Sequence, residues 1–116
     1  MKLRMLIGLS FFALSGLSQA ACKSELYGHW SLTHTSDSLD SGLKPAEAPM
    51  TWAFSREGKA TVNMPPFLNA TSNFECSGGA VIVKKTVPTT LSIVRLANSE
   101  LVWKENGSST YFYFSK

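Results

Sequence analysis

Two histidines, His29 and His34, are the chain's only imidazoles, and Cys22 and Cys76 are its only thiols. His34 lies close in sequence to Asp37 and Asp40, either of which could orient or charge its ring, as general-base chemistry requires. Five residues separate the two histidines, so a regular strand puts them on opposite faces, where they cannot clasp one metal ion together. No Gly-x-Ser-x-Gly, His-Glu-x-x-His or phosphate-binding glycine loop occurs. A lone base with no placed partner reads as a solvated rim histidine, so no catalytic residue, metal site or cofactor is expected.

The cysteines are read through the segment before them. Lys2 and Arg4 form a charged start, Met5 to Leu17 is an apolar stretch, and Ser18-Gln19-Ala20 is a small-x-small cleavage site. Residues 1–20 therefore read as an export signal, leaving a single domain at 21–116 in the periplasm or outside the cell. The apolar stretch is shorter than the ~20 residues that cross a bilayer, so no stable membrane span is expected once the signal is removed. A lipoprotein cut before Cys22 is disfavoured, because it would leave Cys76 as an odd thiol. In an oxidising compartment Cys22 has one possible partner in the chain, Cys76, and a disulfide between them is expected.

Charge excludes one class of partner. Lys and Arg number 11 against 8 Asp and Glu, but Lys2 and Arg4 leave with the signal, so the remainder stands at nine against eight. No basic field is left to hold nucleic acid. Lys84-Lys85 has no supporting cluster and reads as a solvated strand end. Aromatic residues are the better resource, since Trp30, Trp52, Phe54, Phe74 and Trp103 can each bury ~150–250 Å² and either fill an interior or line a cavity in it.

The elements that must position these side chains are strands. After the signal no helical period is sustained. Short segments rich in Val, Ile, Thr and aromatics recur between Gly, Pro, Asn and Ser clusters, which predicts an all-β barrel or sandwich. Eight strands are predicted, at 26–35, 50–55, 59–64, 71–76, 80–86, 89–96, 100–105 and 110–116. Met50, Trp52 and Phe54 share one face of the second, and Ala60, Val62 and Met64 one face of the third. The fifth and sixth strands and Tyr111 to Phe114 are apolar on both faces, so period alone leaves their inward set open.

If every neighbour is joined as a hairpin, alternate connections share an end. One end collects the tight turns at 56–58, 77–79 and 97–99 together with both cysteines. The other collects the long stretch 36–49, the segment 65–70 and the turns at 87–88 and 106–109, and is the wider. Met64, Pro65, Pro66, Phe67 and Leu68 form an apolar run at that wide end, and Leu39 and Leu43 in the long loop are placed to close over it.

Leu26-Tyr27-Gly28-His29-Trp30 carries a Gly-x-Trp, which together with the segment 54–59 and the aromatic final strand resembles the lipocalin-like and other calycin barrels. The resemblance is to a small bacterial lipocalin-like protein and implies an eight-stranded antiparallel up-and-down barrel. It also implies that Trp30 plugs a closed base, that the long first loop overhangs the mouth, and that a basic residue covers the Trp, here Lys116 or Arg95. The family's Thr-Asp-Tyr motif does not occur. Avidin-type barrels share the Cys before Gly-x-Trp, but Leu32 stands where their biotin-contacting Asn would be, so biotin binding is not implied.

The expected function is a non-catalytic carrier of a small apolar ligand at the open end, held by Trp52, Met64, Phe67, Leu43 and His34. The alternative is a protein-binding module of inhibitor or immunity type, in which the same rim loops grip a secreted or periplasmic protein.

Overall fold

The computed structural model describes residues 22–85 and 87–116. The expected export signal at 1–20 lies outside the described residues. Among those described, a short 3₁₀ turn at Ser24–Leu26 leads into nine strands: β1 Gly28–Ser36, β2 Lys44–Pro45, β3 Thr51–Phe54, β4 Lys59–Met64, β5 Leu68–Ser77, β6 Ala80–Lys84, β7 Thr89–Leu96, β8 Glu100–Glu105 and β9 Tyr111–Ser115. Each strand from β3 to β8 pairs antiparallel with the next, β1 pairs with β3, and β9 returns to pair with β1 through Ser31–Ser36. The sheet closes on itself and leaves no long edge.

The eight expected strands are all present, with shifted ends. Leu26 belongs to the 3₁₀ turn, and β5 starts at Leu68 because Leu68, Asn69 and Ala70 pair with Met64, Asn63 and Val62. The connection expected at 65–70 is thus only Pro65-Pro66-Phe67. At the opposite end, Gly78 and Gly79 both take positive φ (55° and 81°), the backbone a two-residue hairpin turn needs.

Trp30, Trp52, Phe54, Phe74, Trp103 and Phe114 face inward and form one cluster with Leu26, Val81, Val83, Leu91 and Leu101. Trp52 stacks on Phe54 at 5.8 Å between centroids, and Trp103 meets Trp52 edge-on at 5.3 Å and Phe114 at 4.5 Å. Aromatic side chains thus fill the middle of the barrel. The strands whose inward set period left open are now resolved: Val81, Val83, Leu91 and Phe114 are buried in the core, while Tyr113 belongs to the outer face.

Cys22 and Cys76 are bonded, with Cα atoms 5.2 Å apart, at the end that holds the tight turns. The Trp30 indole N–H donates to the Leu26 carbonyl at 2.8 Å, and Lys116 Nζ lies 4.9 Å from the Trp30 ring centroid. Lys116 therefore covers the base Trp, and Arg95 is engaged elsewhere. Gly28 has φ 126°, and a Cβ there would stand 3.1 Å from Lys116 Cε, so glycine is what lets the lysine stem lie across the base.

Candidate functional site

The wide end holds a cleft of about 340 Å³ lined by Leu32, Thr35, Met50 and Met64 from the barrel and by the segment 44–48 as an outer wall. Strand register explains its position. Leu32 pairs with Phe114 and Thr35 with Phe112, so both point inward near the mouth. Met64 is two residues from Val62 on the inner face of β4, and Met50, just before β3, is two residues from Trp52, so Trp52 and Val62 form the layer beneath the cleft.

The outer wall arises because the chain leaving β1 comes back along the same strand. Lys44 and Pro45 pair with Thr35 and His34, and Ala46 N–H donates to the Thr33 carbonyl. Leu32 N–H then donates to Met50 and β3 takes over the edge. Glu47, Ala48 and Pro49 lie between these two holds, outside the ladder. The cleft is the space this detour leaves.

Of the expected ligand residues, Met64 lines the cleft and Trp52 is in the layer below it, only 8% exposed. Phe67 is 91% exposed at the tip of the β4–β5 turn and does not line the cleft. Leu43 is also exposed, one residue before the wall begins. His34 lies on the outer face, in register with Tyr113 and Pro45. Of the five, Met64 alone lines the cleft, with Trp52 in the layer beneath it. Leu32, Thr35, Met50 and the wall were not singled out from sequence, although Met50 shares the alternation of Trp52 and Phe54.

The histidines are not on opposite faces. A bulge at Thr33 inserts one residue between Leu32 and His34, so His29 and His34 both point outward. Among the described residues no group of three or more His, Cys, Asp or Glu is placed to hold a metal ion.

The long loop departs from expectation in direction as well. It folds down the outside of the barrel instead of overhanging the mouth. Asp40, at φ 59°, donates its N–H to the Tyr113 hydroxyl at 2.6 Å, and its carboxylate accepts two hydrogen bonds from Arg95, at 3.1 and 2.5 Å. Arg95 also reaches Glu100 at 3.3 Å. These hydrogen bonds and the arginine charge hold the Asp40 carboxyl below the usual carboxylate range, against a smaller opposing effect of desolvation. Tyr113, Val102 and Arg95 are neighbours in register on the outer faces of β9, β8 and β7, and beneath this strap Val102 is 0% exposed and Tyr113 5%. Asp40 is thus committed to Arg95 and is not a partner for His34.

The indole N–H groups of Trp52 and Trp103 are buried without a hydrogen-bond acceptor. Two further recesses, of about 250 and 330 Å³, flank the disulfide at the closed end.

No protein-family model matches the chain, and no curated protein matches it. Among solved structures it is similar to a lipocalin-like protein from Bacteroides uniformis, at 16% sequence identity and a TM-score of 0.60, over 80% of this chain and 99% of that one. The closed eight-stranded antiparallel barrel with Trp30 at its base is a lipocalin-like fold.

Proposed function

We propose that this chain is an exported, non-catalytic binding protein that takes a compact apolar ligand into the cleft at the wide end of the barrel. The observation that carries the reading is where the free space lies. Aromatic rings occupy the middle of the barrel, and the recess at the mouth is walled by Leu32, Met50 and Met64 with Thr35 as a polar handle. A recess of about 340 Å³ is at the small end of ligand sites, which favours a short or single-ring molecule over a long chain. The Cys22–Cys76 disulfide supports an oxidising compartment, in keeping with the signal read at residues 1–20.

Native mass spectrometry of the gently purified protein, followed by thermal shifts against small lipids and metabolites, tests the reading. Retained mass or a shift that Met64→Trp abolishes is the expected result. Silence across both assays would remove the carrier role.

Phe67 favours a second reading, an inhibitor or immunity-type module. An almost fully exposed ring on a short turn preceded by two prolines is preorganised to enter a partner's pocket. Pull-down from envelope and secreted fractions, with loss of the captured protein in Phe67→Ala, separates this from ligand carriage.

A further inference from the structure

The strap on the outside of the barrel and the outer wall of the cleft are parts of one connection. Asp40 is its tip and is held by Arg95 and Tyr113. Lys44 to Ala48, four residues further on, are the wall. The wall's own holds are slight: two bridge pairs and the Ala46 N–H bond to Thr33. A two-residue strand has little stability alone, so the position of the wall depends on what anchors the chain on either side of it.

We propose that Asp40, Arg95 and Tyr113 form a latch that sets the width of the mouth cleft, acting as positioning residues for a site that none of them touches. The latch joins the weakly held side of the cleft to β7 and β9, which belong to the closed barrel wall. Ser36 completes it from the near side, with its hydroxyl donating to the Ser38 carbonyl at 2.5 Å and lying 3.4 Å from the Tyr113 hydroxyl. Releasing the tip leaves residues 37–47 held only by the Ser36 bond to the Ser38 carbonyl, the short β2 pairing and the Ala46 N–H bond to Thr33. The wall then opens more often, and a molecule in the cleft leaves faster. The effect on ligand exit rests on the proposed carrier role, whereas the effect on the wall does not.

Asp40→Asn is the cleanest perturbation, because asparagine tolerates the left-handed backbone at φ 59° and only the charged hydrogen bonds are lost. Arg95→Met keeps the aliphatic stem, and Arg95→Lys keeps the charge without the two-pronged grip. Amide hydrogen exchange at Ala46 reads the wall, and exchange at Trp103 in the core is the control. Ala46 is expected to exchange about tenfold faster in Asp40→Asn and Arg95→Met, with an intermediate rate in Arg95→Lys and no change at Trp103. The second readout is the dissociation rate of N-phenyl-1-naphthylamine, expected to rise several-fold in the same order. Unchanged Ala46 exchange in both Asp40→Asn and Arg95→Met overturns the latch whatever the dye does. Faster exchange supports it even if the dye fails to bind wild type, a result that would count against the carrier reading alone.

Discussion

Replacing Trp30 and Trp103 separately with phenylalanine gives two variants that a burial argument ranks equal and a hydrogen-bond argument does not. Both indoles are 0% exposed, so each loses a similar volume from the core and a similar amount of apolar contact. Their N–H groups differ. Trp30 donates to the Leu26 carbonyl at 2.8 Å, and its removal strands that carbonyl in a buried position, at a cost of about 1–3 kcal/mol. Trp103 has no acceptor, so its removal relieves a desolvated donor and recovers an amount in the same range of about 1–3 kcal/mol. Loss of the Lys116 cation–π contact with Trp30 adds about 0.5–1 kcal/mol more on the same side.

Trp30→Phe should therefore be the more destabilising by at least about 2 kcal/mol, even though both variants lose packing. Urea unfolding followed by far-ultraviolet circular dichroism is the suitable assay, since tryptophan fluorescence changes with the substitution itself. With a urea slope of ~1–1.5 kcal/mol/M for a domain this small, the two midpoints should differ by at least roughly 1.3–2 M at equal slopes. Equal midpoints, or a lower midpoint for Trp103→Phe, would refute the reasoning and mean that the Trp103 N–H has a buried partner such as an internal water.

Three other outcomes follow from the geometry. Removing the disulfide in Cys22→Ala/Cys76→Ala opens a 54-residue link and should cost about 4 kcal/mol, lowering the melting temperature by ~15–30 °C, as calorimetry would record. Asp40 titrates lower in the folded chain than in the unfolded one, so its contribution is complete above the ordinary carboxylate range and fades as pH falls through that range to the depressed value. The stability difference between wild type and Asp40→Asn should therefore be flat from about pH 7 to 5 and shrink below about pH 4. Gly28→Ala must hold alanine at φ 126° and displace Lys116, so chemical unfolding should show a loss of about 1–3 kcal/mol, larger than that of Lys116→Met.

Much of the fold was legible because its signals are local. Met50, Trp52 and Phe54 alternate with small or polar residues, and Gly78-Gly79 and Glu57-Gly58 punctuate the strands where hairpins reverse. Counting strand reversals puts both cysteines at one end, where the disulfide forms. Leu68 to Ala70 were missed because Asn69 and Ala70 are poor strand formers, and only their pairing with Asn63 and Val62 makes them extended. Lys44 and Pro45 carry no strand signal and are held by β1. The cleft was legible in its end of the barrel and in Met64, with Trp52 beneath it, but its outer wall depends on that unsignalled pairing. The latch joins residues 55 apart, which no short-range pattern could have paired.

Two single-residue insertions explain why the wide end differs from the simple barrel that alternation predicts. With Trp30 inward, a regular β1 would turn Leu32, His34 and Ser36 inward, and the chain would leave the strand over the mouth. The bulge at Thr33 reverses the order, and the Thr33 hydroxyl donates to the Tyr113 carbonyl at 3.1 Å across the break. Ser36 then leaves on the outer face, against Tyr113, and the loop has to follow it down the wall. On β7, Leu91 and Ile93 are inward, so an unbroken strand would aim Arg95 into the aromatic core, where an unpaired guanidinium is costly. The bulge at Val94 sends Arg95 outward instead, into line with Val102 and Tyr113. Each insertion alone would produce half a latch. Together they place Asp40 between Tyr113 and Arg95 and leave the mouth uncovered, so the recess at the top of this packed barrel is a consequence of where two extra residues interrupt the ladder.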